Sequence, residues 1–203
     1  MHWPVASGYF GNKIEYLDTY GAMTLLLEKG QVHHLGVSNF SPHQMEKLLN
    51  HTASPPSVHQ MELHPYLQQT DFLEFHEKHG IHVTGYSPFA GKNPTYEGKR
   101  GETPDLFNNT VIAEVAEERG CTPAQVALMW GMSRGTSVIP KSAHPAYIEE
   151  NFHALECVLE KKDLHKIDKL HKYRHRYNNP SKSWKLDLYK DLEDSRGKHK
   201  KHS

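Results

Sequence analysis

The chain has 203 residues, enough for one domain with a real hydrophobic core. Its 24 basic and 24 acidic residues balance, which leaves no global field to favour nucleic acid or an anionic membrane surface. No apolar run approaches the roughly 20 residues of a membrane helix, and the two cysteines, Cys121 and Cys157, are too few for a disulfide framework and fit a reducing cytoplasm.

In chain order, Met1-His2-Trp3-Pro4 matches neither a signal peptide nor a transit sequence. Helical spacing runs from about Ile14 to Glu28, with Tyr16, Tyr20, Met23, Leu26 and Leu27 on one stripe and Gly30 placed to end it. A strand is expected over Val32 to Asn39. Ser41-Pro42 then reads as an N-cap followed by proline at the first helical position. Next comes the alternating stretch SVHQMELHPY, Ser57 to Tyr66, which stops where Pro65 removes a backbone donor. A helix from about Thr70 to Lys78 turns Phe72, Leu73 and Phe75 inwards and is closed by Gly80. The strand HVTGYS, His82 to Ser87, ends before Pro88. The long Gly/Pro-rich loop from Gly91 to Leu106 has the length of a functional or disordered segment. Helices follow at Asn109 to Arg119 and at Pro123 to Met132, the second capped by Thr122. A last strand over Thr136 to Pro140 ends in Lys141-Ser142, a helix starts near Pro145, and another runs from about Lys162 to Tyr173. From Tyr177 the chain reads as an irregular tail with a solvated basic end, RGKHKKHS.

Strand, polar tip and helix thus repeat, which predicts parallel β/α units of an α/β protein. The expected organisation is one body over residues 1–176 and a C-terminal loop and tail over 177–203. Four strands plus the stub at His2 are too few for a closed eight-stranded barrel, which takes about 250 residues. Seventeen histidines invite metal readings, but the pairs His171/His175 and His76/His79 lack a third ligand at a recognisable spacing and read as solvated helix positions. Glu62 and His64 could pair as acid and base, although strand alternation makes them structural.

Parallel strands would gather their polar tips on one face: His2, Ser38-Asn39, Gln60, Tyr86-Ser87 and Lys141-Ser142. An amide with hydroxyls can hold a carboxamide, an aromatic face can stack on a planar ring, and a lysine can meet a phosphate. No Gly-rich phosphate loop supports a Rossmann reading. Taken in order, HWPVA, GVSNFSP, HQMELHPY, GYSPFA, TPAQVALMWGMSRG and VIPKS resemble the C-terminal portion of the aldo-keto reductases. The resemblance runs from His2 to about Ser183. It implies an incomplete (β/α)8 TIM barrel, NADP(H) or NAD(H) as cofactor, and a small carbonyl or polyol substrate. By resemblance, His2 is the active-site histidine that orients the substrate carbonyl, and Ser38, Asn39 and Gln60 hold the nicotinamide carboxamide. Tyr86 stacks on the nicotinamide ring, and Ser87, Phe89 and Ala90 lie along the pyrophosphate. Lys141 and Ser142 meet the adenosine 2′-phosphate, while Tyr147, Glu150 and Asn151 reach adenine. Trp3 and Trp184 are the expected substrate-side aromatics.

Three departures accompany the resemblance. The family's catalytic Asp, Tyr and Lys belong to strands that precede His2, so the chain reads as part of a longer reductase, weak or inactive alone. An alternative is a nucleotide-binding half-barrel without turnover, or an interaction subunit. Tyr147 stands where NADPH-preferring members carry arginine, which leaves the choice between NADPH and NADH open. The Ala6–Lys13 loop is short. A half-barrel with two open strand edges also implies poor solubility as a monomer and leaves self-association open.

Overall fold

A computed structural model of the chain describes residues 1–5, 14–96 and 103–192. The Ala6–Lys13 loop, residues 97–102 of the long loop and the RGKHKKHS end lie outside the described residues. The elements are α1 (Tyr16–Glu28), β1 (Gly36–Ser38), α2 (Pro42–His51), β2 (Val58–Glu62), α3 (Thr70–Lys78), β3 (His82–Tyr86), α4 (Thr110–Arg119), α5 (Pro123–Ser133), β4 (Ser137–Val138), α6 (Pro145–Phe152), α7 (Lys161–Asp168) and α8 (Ser181–Trp184). Short 3-10 turns cover Ala90–Lys92, Pro94–Tyr96, His153–Glu156 and Lys169–Tyr173. The strands form one sheet in the order β1-β2-β3-β4, and both β1–β2 and β3–β4 pair in parallel. The architecture is α/β with a parallel sheet, as the alternating pattern implies.

Local chemistry sets the helix starts. Ser41 and Gln44 close a capping box around α2, and Thr122 with Gln125 does the same for α5, each with proline in the first turn. The Asn109 side chain caps α4 by accepting from Val111 N. Strands are shorter than the apolar pattern suggests. Val32 never joins the ladder because its amide donates back to Leu26 O at the end of α1. β4 is only two residues long, and Pro140 just beyond it has no amide to donate. The helix expected up to Tyr173 ends at Asp168 and tightens into a 3-10 turn.

Two compact units make up the chain. The first consists of Met1–Met61, Thr70–Val83 and the stretch from Pro180 onwards; the second of Glu62–Gln69 and Thr84–Asn179. In the first, Tyr20, Phe40, Met45, Leu48, Met61, Phe72 and Val83 form the core together with Leu188, Tyr189 and Leu192. The supposedly irregular C-terminal stretch therefore contributes buried side chains. His76, expected on a solvated face, is 1% exposed. In the second unit, Leu63, Tyr66, Leu67, Ile112, Val115, Leu128, Trp130 and Ile167 are buried. Gly131 lets α5 approach β4: a Cβ there would lie 2.8 Å from Val138 Cγ1. Arg119 spans to Asp163 and Glu160, both at 2.7 Å, tying α4 to α7. Cys121 and Cys157, too few to suggest a framework, are joined as a disulfide. Among the described residues no helix is long and apolar enough to cross a membrane.

Candidate functional site

The first unit brings four of the expected residues together. Parallel register sets Ser38 opposite Gln60. Asn39 follows β1 in the left-handed region (φ 62°), which asparagine tolerates better than most residues. Its amide donates to Gln60 O at 3.1 Å, while Asn39 Nδ2 reaches both Ser38 Oγ and the carbonyl of His2, each at 3.1 Å. Ser38 Oγ accepts there, so its own hydrogen remains available. Gln60 is half-buried, and its side-chain amide has no hydrogen-bond partner among the described residues. The same unit gathers the expected aromatics. His2 stacks on Trp3 at 5.8 Å between ring centroids, and Trp184 meets Trp3 edge-on at 5.0 Å.

Around Tyr86 the second unit is held by a buried carboxylate. Glu62 is 0% exposed; it accepts from His64 Nε2 at 3.0 Å, Tyr177 N at 2.8 Å and Asn178 N at 2.9 Å. Burial alone would push the Glu62 carboxyl up, but the His64 bond, the charges of His64 and Arg176 and the Tyr177 amide bring it below the usual carboxylate value. The structural reading of Glu62 and His64 therefore fits the geometry. Held by Glu62, Asn178 donates from Nδ2 to the Tyr86 hydroxyl at 3.0 Å, and Tyr177 stacks on Tyr96 at 5.5 Å. Tyr96 OH and Ser87 Oγ lie 3.0 Å apart. Ser87 and Ala90 both have positive φ, 52° and 53°, and Phe89 meets Phe107 edge-on at 5.4 Å. Sequence patterning gave no sign of this clasp, because Glu62 lies more than 100 residues from Tyr177 and Asn178.

Also in the second unit, an open groove of about 520 Å³ is lined by Pro140, Lys141, Ser142, Ile148, Asn151 and Phe152. It brings together three of the expected phosphate and adenine residues: Lys141, Ser142 and Asn151. Glu150 and Tyr147 do not line it. The Glu150 carboxylate accepts from Thr122 Oγ1 at 2.5 Å, and its carbonyl accepts from Gln125 Nε2 at 3.1 Å. Tyr147 lies against the His144 ring at 4.6 Å and is 58% exposed. Lys141 is exposed and forms no ion pair among the described residues.

The Aldo/keto reductase family model matches residues 1–172. The chain belongs to the aldo/keto reductase family. It is similar, at 40% identity over 97% of its length, to an uncharacterized oxidoreductase of Schizosaccharomyces pombe, of which it covers 64%. An NAD(P)H-dependent D-xylose reductase of Candida tropicalis is 39% identical over 77% of this chain and 49% of the relative. Among solved structures, the aldose reductase of Giardia lamblia superposes with a TM-score of 0.80 at 32% identity, over 93% of this chain and 66% of that one. A silkworm (Bombyx mori) aldo-keto reductase complexed with NADPH gives a TM-score of 0.83 at 29% identity, over 93% and 58%. The chain thus spans about half to two-thirds of the length of these family members.

Proposed function

We propose that this chain is the cofactor-holding and carbonyl-orienting part of an NAD(P)H-dependent aldo-keto reductase that reduces aldehydes or ketones to alcohols, or oxidises polyols. The observation that carries the proposal is the gathering of Ser38, Asn39 and Gln60 beside the His2 carbonyl. That donor set fits a nicotinamide carboxamide: the Ser38 hydroxyl has a hydrogen to give to the carboxamide oxygen, and the free amide of Gln60 can accept from its NH2. A bound reduced nicotinamide would supply the hydride. In this reading the Tyr86 ring stacks on the nicotinamide, with its hydroxyl fixed by Asn178. Ser87, Phe89 and Ala90 line the pyrophosphate, and the Lys141–Ser142–Asn151 groove takes the phosphate-bearing adenosine end. The His2 imidazole orients the substrate carbonyl, and Trp3 and Trp184 flank the substrate. Proton donation falls to the Tyr that the family carries on a strand preceding the histidine, its acidity tuned by the family's Lys and Asp.

The parallel β/α units are read as part of a (β/α)8 barrel. Ile148 and Phe152 of α6, 54% and 75% exposed, favour association with another apolar surface, self-association included. A second reading takes the same residues as a nucleotide-binding module without turnover. NADPH binding to the 203-residue chain tests both readings, and failure to bind NADPH refutes both. Aldehyde-dependent loss of NADPH absorbance then separates them when a relative's segment bearing the Tyr, Lys and Asp is joined ahead of His2: turnover supports the reductase part, and binding still without turnover supports the second reading.

A further inference from the structure

Two histidines that sequence reasoning left aside lie buried behind the Ser38–Asn39–Gln60 cluster. Strand alternation sends His59, the neighbour of Gln60, to the opposite face of β2, where it is 0% exposed. There His59 Nε2 lies 3.1 Å from Phe40 N, and His59 Nδ1 lies 2.7 Å from His76 Nε2. His76 Nδ1 in turn lies 2.5 Å from the carbonyl of Phe72, one helical turn back on α3. The rings of Phe40 and Phe72 meet His59 edge-on at 6.3 and 5.5 Å, and Phe72 meets His76 at 4.3 Å, so the surroundings are apolar.

Only one arrangement of protons satisfies this chain. The Phe72 carbonyl can only accept, so His76 Nδ1 carries a hydrogen and a neutral His76 accepts at Nε2. His59 Nδ1 then donates, which leaves His59 Nε2 to accept. At the other end, the Phe40 amide can only donate and requires that same acceptor. Both ends therefore fix both rings as neutral Nδ1–H tautomers. A proton added to either ring would set two donors against each other. Burial depresses the basicity of both rings, and each neighbouring imidazole adds to the effect: His76 acting on His59, and His79 on His76. Successive amides of the left-handed turn are thus fastened to successive residues of β2, Asn39 N to Gln60 O and Phe40 N to His59 Nε2.

We infer that His59 and His76 are positioning residues for the nicotinamide-amide pocket, fixing the Asn39–Phe40 turn through a one-directional hydrogen-bond relay anchored on the Phe72 carbonyl. This rests on the proposed carboxamide role of Ser38, Asn39 and Gln60. The test compares binding of NADPH with binding of 2′-phospho-ADP-ribose, which lacks the nicotinamide, in the full chain and its variants. The parent is expected to bind NADPH more tightly than the analogue. His76→Leu, which strands the His59 donor, is expected to bind NADPH about tenfold more weakly, with analogue binding changed by less than about twofold. His76→Gln, whose amide oxygen can still accept, restores the difference. A His76→Leu chain that keeps the full preference for NADPH overturns the relay. A parent with no preference instead overturns the carboxamide reading, and the inference falls with it. The unmodified protein gives a check that needs no variant to fold. Long-range proton–nitrogen NMR at neutral pH should show both rings as Nδ1–H tautomers, and an Nε2–H or doubly protonated ring at either position refutes the relay.

Discussion

Replacing Glu62 by glutamine changes almost no volume but removes the charge that fastens residues 177 and 178. The carboxylate accepts three N–H groups on two oxygens: Oε1 takes His64 Nε2 and Tyr177 N, and Oε2 takes Asn178 N. Glutamine keeps one accepting oxygen, so its NH2 must face at least one of these donors whichever way the amide is turned. One hydrogen bond to a charged acceptor is lost, at about 1.5–3 kcal/mol, and one buried N–H is left unpaired, at about 1–3 kcal/mol. The sum, about 2.5–6 kcal/mol, brackets the roughly 3–5 kcal/mol for breaking a buried ion pair by removing one partner. Guanidinium unfolding followed by Trp130 fluorescence, with Trp3 and Trp184 changed to phenylalanine, measures the loss in the unit that contains Glu62. A shift below about 1 kcal/mol would show that Glu62 is an ordinary solvated carboxylate and refute the clasp. The pH dependence supplies an independent sign. Because the folded carboxyl is held below its unfolded value, its contribution is complete above the usual carboxylate range near 4.5 and disappears as pH falls through the lowered value. Glu62→Gln should flatten that part of the acid limb.

Other expectations follow from the same geometry. His76 is pushed down to about 4 by burial, so its contribution is complete above pH 6.5 and is lost as pH falls from there to about 4, on the order of 3 kcal/mol in all; His76→Leu should make a stability–pH curve shallower over this segment, the share of the buried His59 remaining, and an unchanged curve refutes it. Gly91→Ala places a Cβ 2.6 Å from the Tyr177 ring and should cost about 1–3 kcal/mol as that ring leaves Tyr96, read as a lower thermal midpoint. Lys141→Ala should weaken NADPH binding by about tenfold and NADH binding by less than about twofold, since among the described residues Lys141 is the only cation lining its groove; equal losses would place the 2′-phosphate elsewhere. Reducing the Cys121–Cys157 link, which spans a sequence separation of 36, should cost up to about 4 kcal/mol by restoring chain entropy to the unfolded state; an unfolding midpoint indifferent to reductant counts against the cross-link.

Legibility in the sequence followed the range of the interactions. Ser41-Pro42 with Gln44 and Thr122-Pro123 with Gln125 are complete within four residues, and both helices begin where those signals place them. Alternation in β2 likewise placed Gln60 and His59 on opposite faces. Strand length was read less well, because an apolar run does not say which amides find a partner: Val32 turned back to Leu26 instead of entering the sheet. Motif words identified the family because they are contiguous. What holds those words in place is not contiguous, as the Glu62 clasp and the Cys121–Cys157 link show.

The histidines make the point most sharply. Counted along the chain, His76 and His79 form an i, i+3 pair that looks like a solvated helix face, and His59 is one polar residue in an alternating strand. A solvated reading fits His79, which is exposed, and fails for His76, which is not. The difference lies in the partner. His76 meets a second imidazole 17 residues away in sequence, and each ring can be buried only because the other completes its hydrogen bonding. Either histidine alone in that apolar layer would leave a ring nitrogen unpaired. The residues that would touch a cofactor are therefore visible as a motif, whereas those that hold the turn become visible only as a pair.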